Sequence, residues 1–288
     1  ADEIALSCAD YVVTEAGFGA EMGAEKALHI KAPAADRAPD CLILNATVRA
    51  MKMHGGGFAS GGGRRPTPEE LETENVEATR AGAASNLRRH VRNLAETSIP
   101  VIVSINRFEH DTEAEIEAIR DEAVKAGAKQ VVLNEAFAKG GEGAAELADA
   151  VVAACAKHDE AGRPYTPIVE HGMSIEETIL RVATNIYGAQ TVDFSDKAQA
   201  SLKTLDEWGM GSLPVCMAKT QYSFSHEPKV LGSPTGFTLP LREIRVNAGA
   251  GFVVAVCGSM MTMPGLPTRP AALDMDMDDE GRLTGAFR

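Results

Sequence analysis

Four stretches of the chain combine glycine with ionisable side chains in a way that suits an anionic ligand. The first is Thr14-Glu15-Ala-Gly17-Phe18-Gly19-Ala-Glu21, which follows the apolar Tyr11-Val12-Val13. Its glycines let backbone N–H groups approach an anion closely, while Phe18 offers an apolar face. The second runs from Arg49 through Lys52 and His54 into Gly55-Gly56-Gly57. The third is Asn106-Arg107-Phe108-Glu109, and the fourth is Phe137-Ala-Lys139-Gly140-Gly141-Glu142-Gly143. Each has a plainer alternative. A glycine pair also makes an ordinary strand-to-helix turn, and any of the cations Arg49, Lys52, Arg107 and Lys139 could sit in a surface ion pair.

The elements that position these stretches follow from the apolar runs before them. Tyr11–Val13 reads as the end of a buried strand, and Cys41–Val48, Val101–Ile105 and Gln130–Leu133 read as three more. Helical patterns lie between: Pro68 to Thr97, with Leu87, Val91 and Leu94 in phase; a helix opened by the capping-box pair Thr112 and Glu115 and closed at Gly127; and one ending near Lys157. Arg88, Arg89 and Arg92 read as a solvated or interface face. Alternating strands and helices imply βαβ units and a mostly parallel sheet flanked by helices, an α/β fold. In such sheets ligands bind beyond the carboxyl ends of the strands. Phe18, Arg49, Arg107 and Phe137 are therefore expected to converge on one edge.

Gly162–Pro167 reads as a linker, giving expected domains of 1–160 and 161–288. The second is a smaller α/β domain: helices from Ser174 to Tyr187 and from Ser195 to Trp208, a strand at Leu213–Ala218, and two more strands near Thr238–Val246 and Gly251–Cys257 in a small mixed sheet. The aspartates Asp274, Asp276, Asp278 and Asp279 resemble a calcium loop, but the glycine falls at Gly281 and not at the sixth position, so a hairpin turn at Asp279 to Gly281 is expected. The loop from Gly57 to Pro68 reads as a mobile surface segment.

Composition limits the function classes. With 288 residues, 44% of them hydrophobic, the chain can bury a sizeable core. A net charge of -13 argues against nucleic acid or an anionic membrane as the main partner. Five scattered cysteines without a CxxC pattern predict reduced thiols, a cytosolic setting and no zinc site. No signal-peptide pattern is present, and Asp2–Ala9 reads as the end of a helix feeding a strand, as in the middle of a longer chain. The chain also lacks a GxxxxGK[ST] loop, a GxSxG elbow and an HExxH helix. It cannot cradle ATP by the first of these devices.

Longer motifs point further. Thr14-Glu-Ala-Gly-Phe-Gly19, Ala46-Thr-Val-Arg-Ala-Met-Lys-Met-His-Gly55, Ile105-Asn-Arg-Phe108, Ala138-Lys-Gly-Gly-Glu-Gly143, Leu213-Pro-Val-Cys-Met-Ala-Lys-Thr-Gln-Tyr-Ser223 and Met261-Thr-Met-Pro-Gly-Leu-Pro-Thr-Arg-Pro270 resemble the C-terminal half of the formate-tetrahydrofolate ligase family, also called formyltetrahydrofolate synthetase. The resemblance runs from about Ala9 to Arg288. It implies part of a P-loop NTPase-like domain and an oligomeric enzyme that joins formate to tetrahydrofolate through formyl phosphate. The family uses ATP and Mg2+, with a monovalent cation as a further addition.

The family's phosphate loop and its catalytic cations lie in an N-terminal region that this sequence does not contain. By resemblance, Phe18, Phe108, Glu109 and Phe137 are the folate-facing residues. Glu15, Gly17, Gly19, Arg49, Lys139, Gly140 and Gly141 lie near the phosphates, and no metal ligand is assigned. Two positions depart from the family pattern: Phe137 stands where tryptophan is usual, and Glu109 where proline is usual. The smaller ring should stack on pterin less strongly, and a carboxylate there must reach solvent or a cation. Three expectations follow: an active ligase once a P-loop segment or chain complements it, an inactive folate-binding or regulatory subunit, or a piece trimmed from an ordinary enzyme.

Overall fold

Three apolar runs separated by helices build the first sheet. Leu42–Ala46 (β1), Val101–Asn106 (β2) and Gln130–Asn134 (β3) pair in parallel in the order β1-β2-β3. This computed structural model describes residues 1–58, 66–258, 268–273, 275–278 and 283–284. β2 is the central strand and is buried from Val101 to Ile105, which is why it reads as an apolar run interrupted only by the small Ser104, with no alternation. Its residues still divide between two faces. Val101, Val103 and Ile105 join a core with Leu44 and Ala46, while Ile102 and Val132 pack on the opposite side.

The chain opens with α1 (Asp2–Leu6), then α2 (Gly23–Lys26), which passes through a π turn, Ala27–Lys31, into α3 (Ala32–Ala34). After β1 come α4 (Val48–His54), α5 (Pro68–Glu72) and α6 (Val76–Gly82). A π turn at Ala83–Leu87 carries α6 on into α7 (Arg88–Ala95). α8 (Glu113–Ala126) links β2 to β3, and α9 (Ala136–Lys139) and α10 (Ala145–Glu160) follow β3. Met51, Leu87, Val91, Ile116 and Ile119 cover the first face of the sheet. Glycines let α4 and α6 cross closely: a Cβ on Gly82 would lie 1.9 Å from the Met51 carbonyl oxygen, and one on Gly55 1.8 Å from that of Ala78. The second face has thinner cover. Ala150 of α10 packs there, but Ile43 of β1 is 37% exposed. Among the described residues no strand pairs with the outer edge of β1.

The second sheet comprises Thr191–Phe194 (β4), Val215–Ala218 (β5), Thr238–Asn247 (β6) and Phe252–Cys257 (β7), in the order β4-β6-β7-β5. β6 and β7 are antiparallel while the two outer pairings are parallel, so the sheet is mixed as expected. α11 (Ile175–Arg181), extended by a π turn at Val182–Tyr187, and α12 (Asp196–Glu207) fill its core with Ile179, Val182, Ile186 and Leu205. The arginine face of α7 serves as an interface. Arg89 donates to the Asn185 and Ile186 carbonyls at 3.0 and 3.3 Å, and the Asn93 side chain donates to Ile186 at 2.9 Å, so α7 caps the end of that helix.

Ala1–Gly258 form one compact unit and Ser259–Arg288 another. In the latter, Ala271–Leu273 makes a 3-10 turn and Asp276–Met277 (β8) pairs antiparallel with Leu283–Thr284 (β9). The expected hairpin turn at Asp279 to Gly281 and most of the Gly57 to Pro68 loop lie outside the described residues. The α/β class is as expected, and the capping boxes form at Thr112 with Glu115 and at Ser174 with Glu177.

Two local expectations need correction, and one strand lies outside the expectations. Tyr11–Val13 is not a strand; Tyr11 is 52% and Val13 81% exposed, because an apolar triplet gains nothing from an extended shape without a neighbouring strand. The helix expected from Pro68 to Thr97 breaks at Thr73–Asn75, where Asn75 caps α6. β4, only four residues long, carries too short a pattern to be read from sequence.

Candidate functional site at the carboxyl edge of the parallel sheet

The three strand ends bring their following residues together. Beyond β1, the Thr47 hydroxyl accepts the Ala50 N–H at 3.1 Å and starts α4, which places Arg49 in the first turn. Beyond β2, the Arg107 N–H donates to the Asn134 carbonyl at 3.0 Å, so the ladder continues one step past the strand. The Asn134 side-chain amide donates to Asn106 Oδ1 at 3.0 Å, and Asn134 Oδ1 accepts the Ala136 N–H at the same distance. These bonds fix the turn into α9.

Arg49, Phe108 and Phe137 meet on that edge. The rings of Phe108 and Phe137 have centroids 5.6 Å apart, tilted by 48°, within the range of favourable aromatic pairs. The Arg49 guanidinium lies 5.6 Å from the Phe108 centroid. Phe137 is 86% exposed, so a large apolar face is turned to solvent. A ring pair of an exposed Phe137 and a half-buried Phe108, with a guanidinium beside it, can stack a flat ligand and accept negative charge at its rim. Asp111 shapes the wall by accepting the Phe108 N–H at 2.9 Å; burial pushes its carboxyl up, against the pull of that bond.

A charged cluster borders the rings. Glu135 accepts from Lys139 at 2.6 Å and lies 3.8 Å from Arg107, which also pairs with Glu113 at 2.7 Å. The Lys139 hydrogen bond, aided by Arg107, holds the Glu135 carboxyl below the usual carboxylate range. Both loop cations thus have carboxylate partners here. Gly140 adopts φ +61°, and a Cβ at Gly140 or Gly141 would meet nothing within 4 Å, so their backbone is open. Glu109 is exposed, so its charge reaches solvent. Lys52 is not a loop cation at all: it is wholly buried against Glu115.

The Thr14–Glu21 loop contributes no ring to this pair. Glu15 and Gly17 are exposed, Phe18 is 88% exposed, and Phe18 makes no ring contact with Phe108 or Phe137. Glu135 and Asp111 were not singled out from the sequence. The Glu135 to Lys139 spacing of four on a short helix was the available signal for the first, and the turn-forming Asp111 just before a helix cap for the second. Among the described residues no group of three or more His, Cys, Asp or Glu side chains is placed to hold a metal ion, and no helix is long and apolar enough to cross a membrane.

Comparison with known proteins is consistent along the whole chain. A family model described as formate--tetrahydrofolate ligase matches residues 1–287. Proteins of that name from Paracoccus denitrificans and Desulforamulus reducens are 49% and 45% identical to it, each over 100% of this chain. A third, from Lactiplantibacillus plantarum, is 45% identical over 100% of this chain. The match takes up 49%, 50% and 49% of those three proteins, so the chain spans about half the length of the curated relatives it matches. With the family model matched over residues 1–287 and these identities along the whole of this chain, the chain belongs to the formate-tetrahydrofolate ligase family.

Proposed function

We propose that this chain supplies the folate-facing part of an ATP-dependent ligase that joins formate to tetrahydrofolate through formyl phosphate. The observation that carries this is the Arg49, Phe108 and Phe137 cluster at the carboxyl edge of the parallel sheet. The pterin stacks on Phe137 and Phe108, with Phe18 as a further wall and Glu109 at the solvent side. Arg49, Lys139 and the open backbone of Gly140 and Gly141 face the phosphoryl group, and Glu15, Gly17 and Gly19 line the formyl side. Catalysis of this kind rests on oriented N–H groups and cations more than on a protein nucleophile.

The phosphate cradle comes from a P-loop segment or chain outside this sequence. Among the described residues the outer edge of β1 is unpaired and the second face of the sheet is partly uncovered, which supports this because parallel sheets are normally covered on both faces. ATP and Mg2+ bind mainly through that segment, as does any monovalent cation. The working protein is then a cytoplasmic homo- or hetero-oligomer, with a division near residue 160 between the two sheet-based parts.

The test is to combine the chain with the N-terminal half of a relative and measure ADP release that depends on both formate and tetrahydrofolate. Activity in the equimolar complex is expected. A folded complex without activity overturns the reading. Glu109 and Phe137 favour a second reading, a folate-binding or regulatory subunit without chemistry; saturable tetrahydrofolate binding with no ADP release in that same complex would select it.

A further inference from the structure

Lys219 follows β5, and its ammonium group is wholly enclosed. It donates to Glu21 Oε1 at 3.0 Å, to the Thr220 carbonyl at 3.0 Å and to the Ser223 carbonyl, which uses all three of its protons. It also lies 4.8 Å from the Tyr187 ring centroid. Its ionic partner Glu21 is 198 residues away in sequence, at the end of the loop that carries Phe18.

That loop is wound tightly around the Glu21 carboxylate. Gly19 has φ +71°, and a Cβ there would lie 2.6 Å from Glu21 Oε2, so both the backbone angle and the carboxylate require glycine. The Gly19 carbonyl accepts the Met22 and Gly23 N–H groups, each at 2.8 Å. A Cβ on Gly23 would come within 2.0 Å of the Gly17 carbonyl oxygen, so the Gly17 backbone rests directly on Gly23. Phe18 sits between these two fixed glycines, 88% exposed. A large apolar ring is thus held out from a rigid base. The base is anchored to the second sheet by the buried Lys219–Glu21 ion pair and by the neighbouring Met22, which packs against that sheet's core and accepts the Tyr187 hydroxyl at 3.6 Å.

We infer that Lys219 is a positioning residue for the Gly17-Phe18-Gly19 loop, acting through Glu21, so that the second sheet sets the placement of a ligand-facing segment of the first. The function assigned to the loop rests on the reading under Proposed function, but the mechanical link does not. It is therefore tested first without ligand.

Hydrogen exchange is followed in the 288-residue chain and its Lys219→Met variant, in peptides covering residues 14–22 and, separately, β4, β6 and β7. The expected result is at least tenfold faster exchange in residues 14–22, with protection of the three strands unchanged. Unchanged exchange in residues 14–22 overturns the inference, and so does an equal loss across the second sheet, which would mean a purely structural role. If Lys219→Met does not fold, Glu21→Gln decides by the same criteria; it keeps the size and one acceptor while removing the charge. In the complex with a P-loop half, Lys219→Met is expected to raise the tetrahydrofolate KM at least fivefold with kcat changed less than twofold. A fall in kcat with KM unchanged overturns the positioning role. A complex that is inactive even with the wild-type chain counts against the proposed function and leaves the exchange result to decide this one.

Discussion

The Lys52 ammonium lies 2.8 Å from Glu115 Oε1, with the two side chains 1% and 0% exposed. The pair joins three segments. Lys52 also donates to the Leu71 and Thr73 carbonyls at 3.2 and 2.8 Å, and Glu115 accepts the Asn75 and Thr112 N–H groups at 2.7 and 3.2 Å. Burial pulls the Glu115 carboxyl upward, but the N–H groups and Lys52 outweigh it and hold its pKa below the usual carboxylate range. Removing one partner leaves a buried charge uncompensated, so Glu115→Ala is expected to cost about 3–5 kcal/mol in a urea titration. A cost below about 1 kcal/mol would show that the pair does not hold these segments.

The pH dependence of stability has a second, separate source. His54 Nδ1 accepts the Gly232 N–H at 3.0 Å, and burial first, then His90, lowers its pKa from 6.5 to about 4. Between those values the unfolded chain binds a proton that the folded chain refuses, so stability is intact above pH 6.5 and declines as pH falls toward 4. The full decline is about 3 kcal/mol. About 2 kcal/mol of it should separate urea titrations at pH 7 and pH 5 in the wild type, and His54→Leu should flatten the difference.

Thiol reactivity should separate the cysteines. Burial pushes the Cys41 and Cys257 thiols up to about 12 and raises those of Cys155 and Cys216 as well. Cys8 is exposed. The thiolate is the reactive form, so a disulfide reagent at neutral pH is expected to modify Cys8 rapidly and Cys257 only on unfolding. Mass spectrometry of the labelled peptides identifies which thiol has reacted.

The crossing of α4 and α6 leaves no room for a methyl group. Gly82→Ala would place its Cβ 1.9 Å from the Met51 carbonyl oxygen, so the helices must move apart. A loss of about 1–3 kcal/mol is expected from calorimetry, whereas Gly141→Ala, whose Cβ meets nothing within 4 Å, should leave stability nearly unchanged.

Local signals in the sequence carried much of the fold. The Val101–Ile105 run identified a strand, and the spacing of Thr112 with Glu115 and of Ser174 with Glu177 located two helix starts, because these patterns depend on neighbours a few residues away. Tyr11–Val13 misled because a strand requires a partner, which a local pattern does not specify. Lys52 resembled an anion-binding cation, and only the folded chain brings Glu115 to it. The Lys219 to Glu21 pair joins still more distant residues and has no local signature. At the site, strand ends predicted that Arg49 and Phe137 share an edge, but the neutralising role of Glu135 emerged only once α9 was in place.

The central claim is that Phe108 and Phe137 form the folate-stacking wall. It is tested most directly by titrating tetrahydrofolate into the chain assembled with a P-loop half, as wild type and as the Phe108→Ala, Phe137→Ala double variant. Saturable binding is expected in the wild type. Each stacked ring contributes about 0.5–1.5 kcal/mol, so the dissociation constant of the variant should rise roughly five- to a hundredfold. Equal affinity in the two proteins would place the folate elsewhere and contradict it.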